Sequence, residues 1–237
     1  MAEKPGPKRR AASKSPNELL SRKLSKLLRH GVHENKLTDC LRGDGYLPLD
    51  RVLSCISRNG PSFTEEQVRD VVRNCSKQRF SIINDNSIVY IRANQGHTIH
   101  GLHDDAMLQP LDLSNLMHLR EAVHGTYRRS WPGILASSGL KRMSRNHIHL
   151  AADLPGKSGV ISGMRRSAEL FVWVDLVSAH HGGVQFYRSS NGVILTPGLN
   201  EEGVLPVTYF SRVTTKDGEE VEIPGEGRGF PKSTRRY

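Results

Sequence analysis

At 237 residues the chain has room for one large domain or two small ones, and 36% hydrophobic residues are enough for ordinary cores. A net charge of +10, with 34 Lys+Arg, favours a polyanionic partner such as nucleic acid, because arginines also sit inside the periodic segments. No apolar run approaches the ~18 residues of a membrane span, and Cys40, Cys55 and Cys75 have neither zinc-site spacing nor an even count, which fits a reducing compartment.

Residues 1–14 are expected to form a disordered basic arm. They lack the apolar centre of a secretory signal, and Lys4-Pro5-Gly6-Pro7-Lys8-Arg9-Arg10 reads as a solvated arm or a nuclear signal. The expected location is cytoplasmic and/or nuclear. The first helix begins at Ser15, where Ser15 and Glu18 have capping-box spacing and Pro16 suits the first helical position. Leu20, Leu24, Leu27 and Leu28 share one face, and Gly31 ends the helix. Arg29 and His30 therefore project from a rigid end, where cations also complement the helix dipole. Gly43-Asp44-Gly45 is a turn before a short helix carrying Val52, Leu53 and Ile56; Asn59-Gly60-Pro61 breaks the chain. Thr64 and Gln67 form a second capping-box pattern, with Val68, Val71, Val72 and Cys75 on one face. Arg79 precedes a hairpin of Phe80–Ile83 and Ile88–Ile91, whose Asn84-Asp85-Asn86 turn lacks the stronger Asn-Gly signal. Arg92-Ala93-Asn94-Gln95-Gly96-His97 has no period and reads as a loop at a strand end. Three helices and a hairpin over residues 15–100 suggest a winged-helix lobe, a type that meets nucleic acid or protein.

Residues 101–114 read as a linker, with Leu111, Leu113, Leu116 and Leu119 docking it onto a domain. Residues 115–212 read mostly as strand. Leu170–Leu176 is nearly continuous apolar sequence, as for a central strand; Val184–Tyr187 alternates; Asn191-Gly192 signals a hairpin before Val193–Leu195; Leu205–Val207 and Tyr209-Phe210 read as an edge. The expected class is α+β, as a monomer. His180 and His181 are adjacent and point apart, so a turn is favoured over a ligand pair, and no carboxylate or cysteine cluster suits a metal. From 213 to 237, glycine and charge predict a flexible tail.

The stretch Val123–Leu150 concentrates the chemistry. His124-Gly125-Thr126 ends a strand at a glycine turn; Tyr127–Leu140 reads as a helix with Trp131, Ile134 and Leu135 on one face; Ile148 and Leu150 alternate with His147 and His149 as in a half-buried strand, led by Arg145. Close backbone approach at a glycine and a forked arginine charge suit a phosphate-bearing ligand. Gly159–Gly163 is not a dinucleotide fingerprint, and none of the usual spacing is present.

Val-His-Gly-Thr, Ser-Arg-Asn-His-Ile-His-Leu and Gly159-Val160-Ile161-Ser162-Gly163-Met164-Arg165 resemble the NAD-dependent RNA (tRNA) 2'-phosphotransferase family. Leu27-Leu28-Arg29-His30, Lys77-Gln78-Arg79-Phe80 and Arg92–His97 extend the resemblance over roughly residues 17–210. It implies a split β-sheet of the ADP-ribosyltransferase kind for residues 115–212, with NAD as co-substrate and a 2'-phosphorylated RNA, the tRNA splice junction, as partner. It implies two steps. The 2'-phosphate displaces nicotinamide, giving RNA-2'-phospho-ADP-ribose; the 2''-hydroxyl then attacks phosphorus, freeing the RNA 2'-hydroxyl and ADP-ribose 1'',2''-cyclic phosphate. Arg29, His30, Arg79 and Arg145 match the family's catalytic group, and His124, Gly125 and Thr126 its NAD-contacting block. Two alternatives stay open: ADP-ribosylation of terminal nucleic-acid phosphates, and a non-catalytic RNA-binding module. Glu201 and Glu202 fall in a loop, which weakens a protein-modifying transferase.

Overall fold

The computed structural model describes residues 15–58, 60–157, 160, 163–165 and 167–224. The basic arm, Asn59, most of Gly159–Ser162 and the segment from 225 lie outside the described residues.

Helix α1 (Pro16–His30) starts where Ser15 Oγ accepts the Glu18 N–H at 3.3 Å. The expected capping box is half made, because the Glu18 carboxylate turns to Arg22 one turn on. The strand β1 (Leu47–Pro48) leads into α2 (Leu49–Ser57), and α3 (Glu65–Arg73) opens on a complete capping box of Thr64 and Gln67. Strands β2 (Phe80–Asp85) and β3 (Ile88–Ala93) pair along their whole length, and β1 adds to β3, giving the order β1-β3-β2. Asn86 and Ser87 both take positive φ, 48° and 66°, so the hairpin closes on two residues without a glycine. Leu24, Leu47, Val52 and Ile91 are fully covered in the core these elements share.

The expected linker carries structure of its own. Helix α4 (Asp104–Met107) and strand β4 (Gln109–Pro110) lie within it. Helix α5 (Leu113–Leu119) comes next, capped by Asp112 and Asn115; Leu111 and Leu116 are buried, whereas Leu113 stays exposed. Then come β5 (Glu121–Thr126), α6 (Trp131–Ala136), β6 (Gly139–Lys141), β7 (Ile148–Leu150), β8 (Leu170–Asp175), α7 (Leu176–His181), β9 (Tyr187–Arg188), β10 (Ile194–Thr196), β11 (Val204–Pro206) and β12 (Phe210–Thr215). They form sheets of order β4-β9-β10-β7 and β12-β8-β5, plus the pair β11-β6. The two larger sheets meet at one antiparallel bridge, where Val123 and Ala151 exchange N–H···O bonds of 2.8 Å. β8 is central, as its apolar run predicts: Val172 and Val174 face one core cluster, Phe171 and Trp173 another. The fold is mixed helix and sheet, consistent with α+β.

Four local readings are corrected. The helix expected over 127–140 is only six residues long: Ser138 turns left-handed at φ 56°, and Gly139 opens β6, where a Cβ would collide with the Leu205 carbonyl oxygen. Gly125 is in β5, paired with Phe171, not in a turn. His180 and His181 end a helix. The segment from 213 is not a tail at its start: β12 runs to Thr215, Val221 N–H returns to the Val213 carbonyl, and Ile223 is buried. Those three apolar anchors outweigh the charges around them.

Candidate functional site

Three arginines from three segments meet at the seam between the two cores. Arg29 comes from the end of α1, Arg79 from just before β2, and Arg145 from the loop before β7. Burial, then Arg145, then Arg79 lower the Arg29 guanidinium to about 10, so it stays charged at neutral pH while opposed by its neighbours. Arg145 is lowered too, by burial and by Arg165. Arg29 packs on Gly96, whose Cβ would stand 3.4 Å from the guanidinium carbon, and its buried Nε has no hydrogen-bond partner among the described residues. His30 shares the site. Its Nδ1 meets Thr98 Oγ1 at 3.1 Å, while the Thr98 N–H donates to the Arg29 carbonyl at 3.0 Å. Burial, Arg29 and Arg145 keep His30 below its ordinary value, hence neutral at pH 7. Arg79 is steered by Cys75, whose sulfur lies 3.4 Å from Nη1 and 3.5 Å from the backbone nitrogen.

The loop after β3 supplies the seam's other side. Loops usually run over surfaces because their backbone needs water, yet Asn94, Gln95 and His97 are buried. Each of the two amides finds a partner. Asn94 Nδ2 donates to the Gln78 carbonyl at 2.7 Å, and Gln95 Oε1 meets His149 Nε2 at 2.8 Å. Asn146 reaches back, donating from its backbone to His97 and from Nδ2 to the Ile99 carbonyl. His147 Nε2 contacts Asp104 Oδ2 at 2.9 Å. His97 is pushed down to about 3, chiefly by burial and then by Arg29.

β7 is therefore buried on both faces rather than half-buried. His147 and His149 share one side of it, both already engaged by side chains from the earlier chain. Burial, helped by Arg145, holds His149 well below its usual range.

His124 lies on β5 with Nδ1 2.9 Å from the His149 carbonyl oxygen. A carbonyl only accepts, so Nδ1 carries the proton. Burial holds the ring below its ordinary value, the carbonyl pulls the other way, and Arg145 adds to the depression. The neutral ring then has a bare lone pair on Nε2, an acceptor for a hydroxyl. Gly125 makes room for protein: a Cβ there would fall 2.9 Å from the Ala168 Cβ and 3.0 Å from Met164. Thr126 is buried, and its carbonyl accepts the Glu169 N–H. Glu202, in the turn before β11, pairs with Lys141 of β6, and Glu201 stays exposed.

The segments that bring these cations and histidines together also match a known family. The family model described as RNA 2'-phosphotransferase, Tpt1 / KptA family, matches residues 15–198. The chain belongs to this family. The matched span of this phosphotransferase family holds Arg29, His30, Arg79, His124, Gly125, Thr126 and Arg145. The chain is 42% identical over 195 residues to tRNA 2'-phosphotransferase 1 of Danio rerio, covering 81% of this chain and 83% of that one. It is 43% identical to tRNA 2'-phosphotransferase 1 of Homo sapiens over 81% of this chain and 73% of that one. Against tRNA 2'-phosphotransferase of Saccharomyces cerevisiae it is 33% identical, with 83% of each covered. A relative from Schizosaccharomyces pombe, 40% identical over 91% of this chain, is longer, and the match spans 55% of its length. Within the family's matched span, the sequence reading missed the roles of Asn94, Gln95, His97, Asn146 and Asn191. Asn94, Gln95, His97 and Asn146 lie in blocks that carry the resemblance, and Asn191 in a hairpin turn, but nothing local shows which distant groups they hold.

Proposed function

We propose that this protein is an NAD-dependent tRNA 2'-phosphotransferase, transferring an internal RNA 2'-phosphate to NAD. The observation that carries the reading is the meeting of Arg29, Arg79 and Arg145 beside His30. Arg29, opposed by the charges of Arg145 and Arg79 and with an unpartnered buried Nε, stands at a ready site for a dianionic phosphate. The order α1-β1-α2-α3-β2-β3 supports a winged-helix lobe for residues 15–100. The two sheets joined at Val123–Ala151 support an ADP-ribosyltransferase-like lobe for 115–212, with 101–114 as a structured connection.

NAD, when bound, supplies an electrophilic ribose carbon and nicotinamide as leaving group. The chain's own residues explain the rest. A phosphate is already an anion at pH 7, so the first step needs orientation and charge compensation rather than a base. Bidentate arginines give both. His124 Nε2 would accept from a ribose hydroxyl and fix the sugar. The second step needs a proton to leave a neutral hydroxyl. Thr98 occupies His30 Nδ1, so Nε2 is the nitrogen that faces this task. Glu202 is engaged by Lys141 and Glu201 is exposed, which supports a phosphate acceptor over a protein side chain.

Incubation with NAD and an oligonucleotide bearing an internal 2'-phosphate tests the reading. The expected products are the 2'-hydroxyl oligonucleotide and ADP-ribose 1'',2''-cyclic phosphate. A stable ADP-ribosylated nucleic acid would replace it with terminal phosphate modification, and no turnover would replace it with a binding module.

A further inference from the structure

The segment that delivers Arg79 is strained and held from both sides. Gln78 takes φ 44°, a left-handed conformation that a residue with a Cβ keeps only where its surroundings enforce it. Two buried amides do so. Asn94, from the loop after β3, donates Nδ2 to the Gln78 carbonyl at 2.7 Å. Asn191, from the turn between β9 and β10, donates Nδ2 to the Lys77 carbonyl at 2.9 Å, across 114 residues of sequence. Its other end is fixed as well: Ser189 Oγ donates to Asn191 Oδ1 at 2.7 Å. Asn191 is 2% exposed and Ser189 3%. A turn asparagine normally bonds its own neighbours. This one spends its donor on another part of the fold, two residues before Arg79.

We propose that Asn191 is a positioning residue for Arg79: by holding the Lys77 carbonyl it couples the seating of the β9–β10 turn to the placement of the guanidinium. The phosphate grip is then complete only when the two cores are docked. The proposal rests on the reading of Arg79 as a phosphate ligand.

The test is a double-mutant cycle on affinity for a 2'-phosphorylated oligonucleotide, using Asn191→Ala, Arg79→Ala and the pair. Loss of one buried hydrogen bond predicts roughly fivefold to tenfold weaker binding for Asn191→Ala alone. In the Arg79→Ala background the same change should cost less than about twofold, and NAD affinity should hold in both. Equal loss in the two backgrounds, or no loss at all, overturns the proposal and leaves the function standing. An Arg79→Ala variant that binds like the parent overturns the reading of Arg79 and the proposal with it. Should Asn191→Ala fail to fold, Ser189→Ala carries the same cycle, because it releases the Asn191 amide while leaving it in place. Its loss should be smaller, and again absent without Arg79.

Discussion

The two cores and the seam between them are built on opposite rules. The cores are apolar and contiguous: Leu24 and Val52 in one, Leu150 and Val174 in the other, all fully covered. The seam is polar and cationic: His97, His149, Gln95 and Asn191 are as buried as many core residues, and the half-buried Arg29 and Arg145 stand beside them. Burial stabilises the cores. In the seam the same burial costs free energy, because charge and polar groups leave water. The difference teaches that the cores hold a site which would not hold itself together. Core changes should therefore alter stability and spare chemistry, and seam changes should do the reverse.

The largest expected effect is in a core. Leu24→Ala should destabilise the fold by roughly 2–5 kcal/mol, through lost burial and a residual cavity. Below its melting transition kcat/KM should stay near the parent value; urea unfolding and steady-state kinetics check both halves. Next comes the seam. Arg29→Met keeps much of the volume and removes the charge. Turnover should fall about 10²- to 10³-fold, as for loss of one preorganised transition-state contact, while the melting temperature holds or rises because like-charge repulsion is relieved. A parallel fall in stability would break the comparison.

A smaller effect comes from His97. Its folded value, about 3, lies below the ordinary 6.5. The unfolded chain therefore binds a proton between those values that the folded chain refuses. Stability is fully present above pH 6.5 and is lost as pH falls toward 3. Between pH 6.5 and 5 the loss should be on the order of 2 kcal/mol. His97→Gln should flatten that part of the melting-temperature profile; an unchanged profile counts against a neutral buried ring. The smallest effect belongs to neither region. Arg73→Ala removes an exposed pair with Asp70 and should move stability by less than about 0.5 kcal/mol.

The same contrast explains what could be read from residues alone. The cores were legible because α1 and α3 announce themselves by local rules: a cap, then leucine or valine at helical spacing. β8 was legible for a similar reason, a run of five apolar or aromatic residues, Leu170 to Val174. Short elements were not. β1 is two residues, one a proline, and exists only because β3 offers an edge. The six-residue α6 was overextended because Trp131, Ile134 and Leu135 keep helical spacing up to a strand that begins at Gly139. For the site, the resemblance picked out Arg29, Arg79 and Arg145, and the fold brings them together. The pairing across the seam that holds them was not legible. Gln95 with His149 and Asn191 with Lys77 are paired across 54 and 114 residues, a relation that no local pattern encodes.

One measurement tests the central claim, that arginines from both sides of the seam grip the phosphate together. It compares affinity for an oligonucleotide carrying one internal 2'-phosphate with affinity for the same oligonucleotide carrying a 2'-hydroxyl. The comparison is made for the parent and for Arg29→Met, Arg79→Met and Arg145→Met. The parent should prefer the phosphorylated strand by about tenfold or more, as charge-assisted hydrogen bonds of roughly 1.5–3 kcal/mol imply. Each single variant should lose most of that preference while keeping its affinity for the plain strand. A preference that survives all three substitutions would contradict the account.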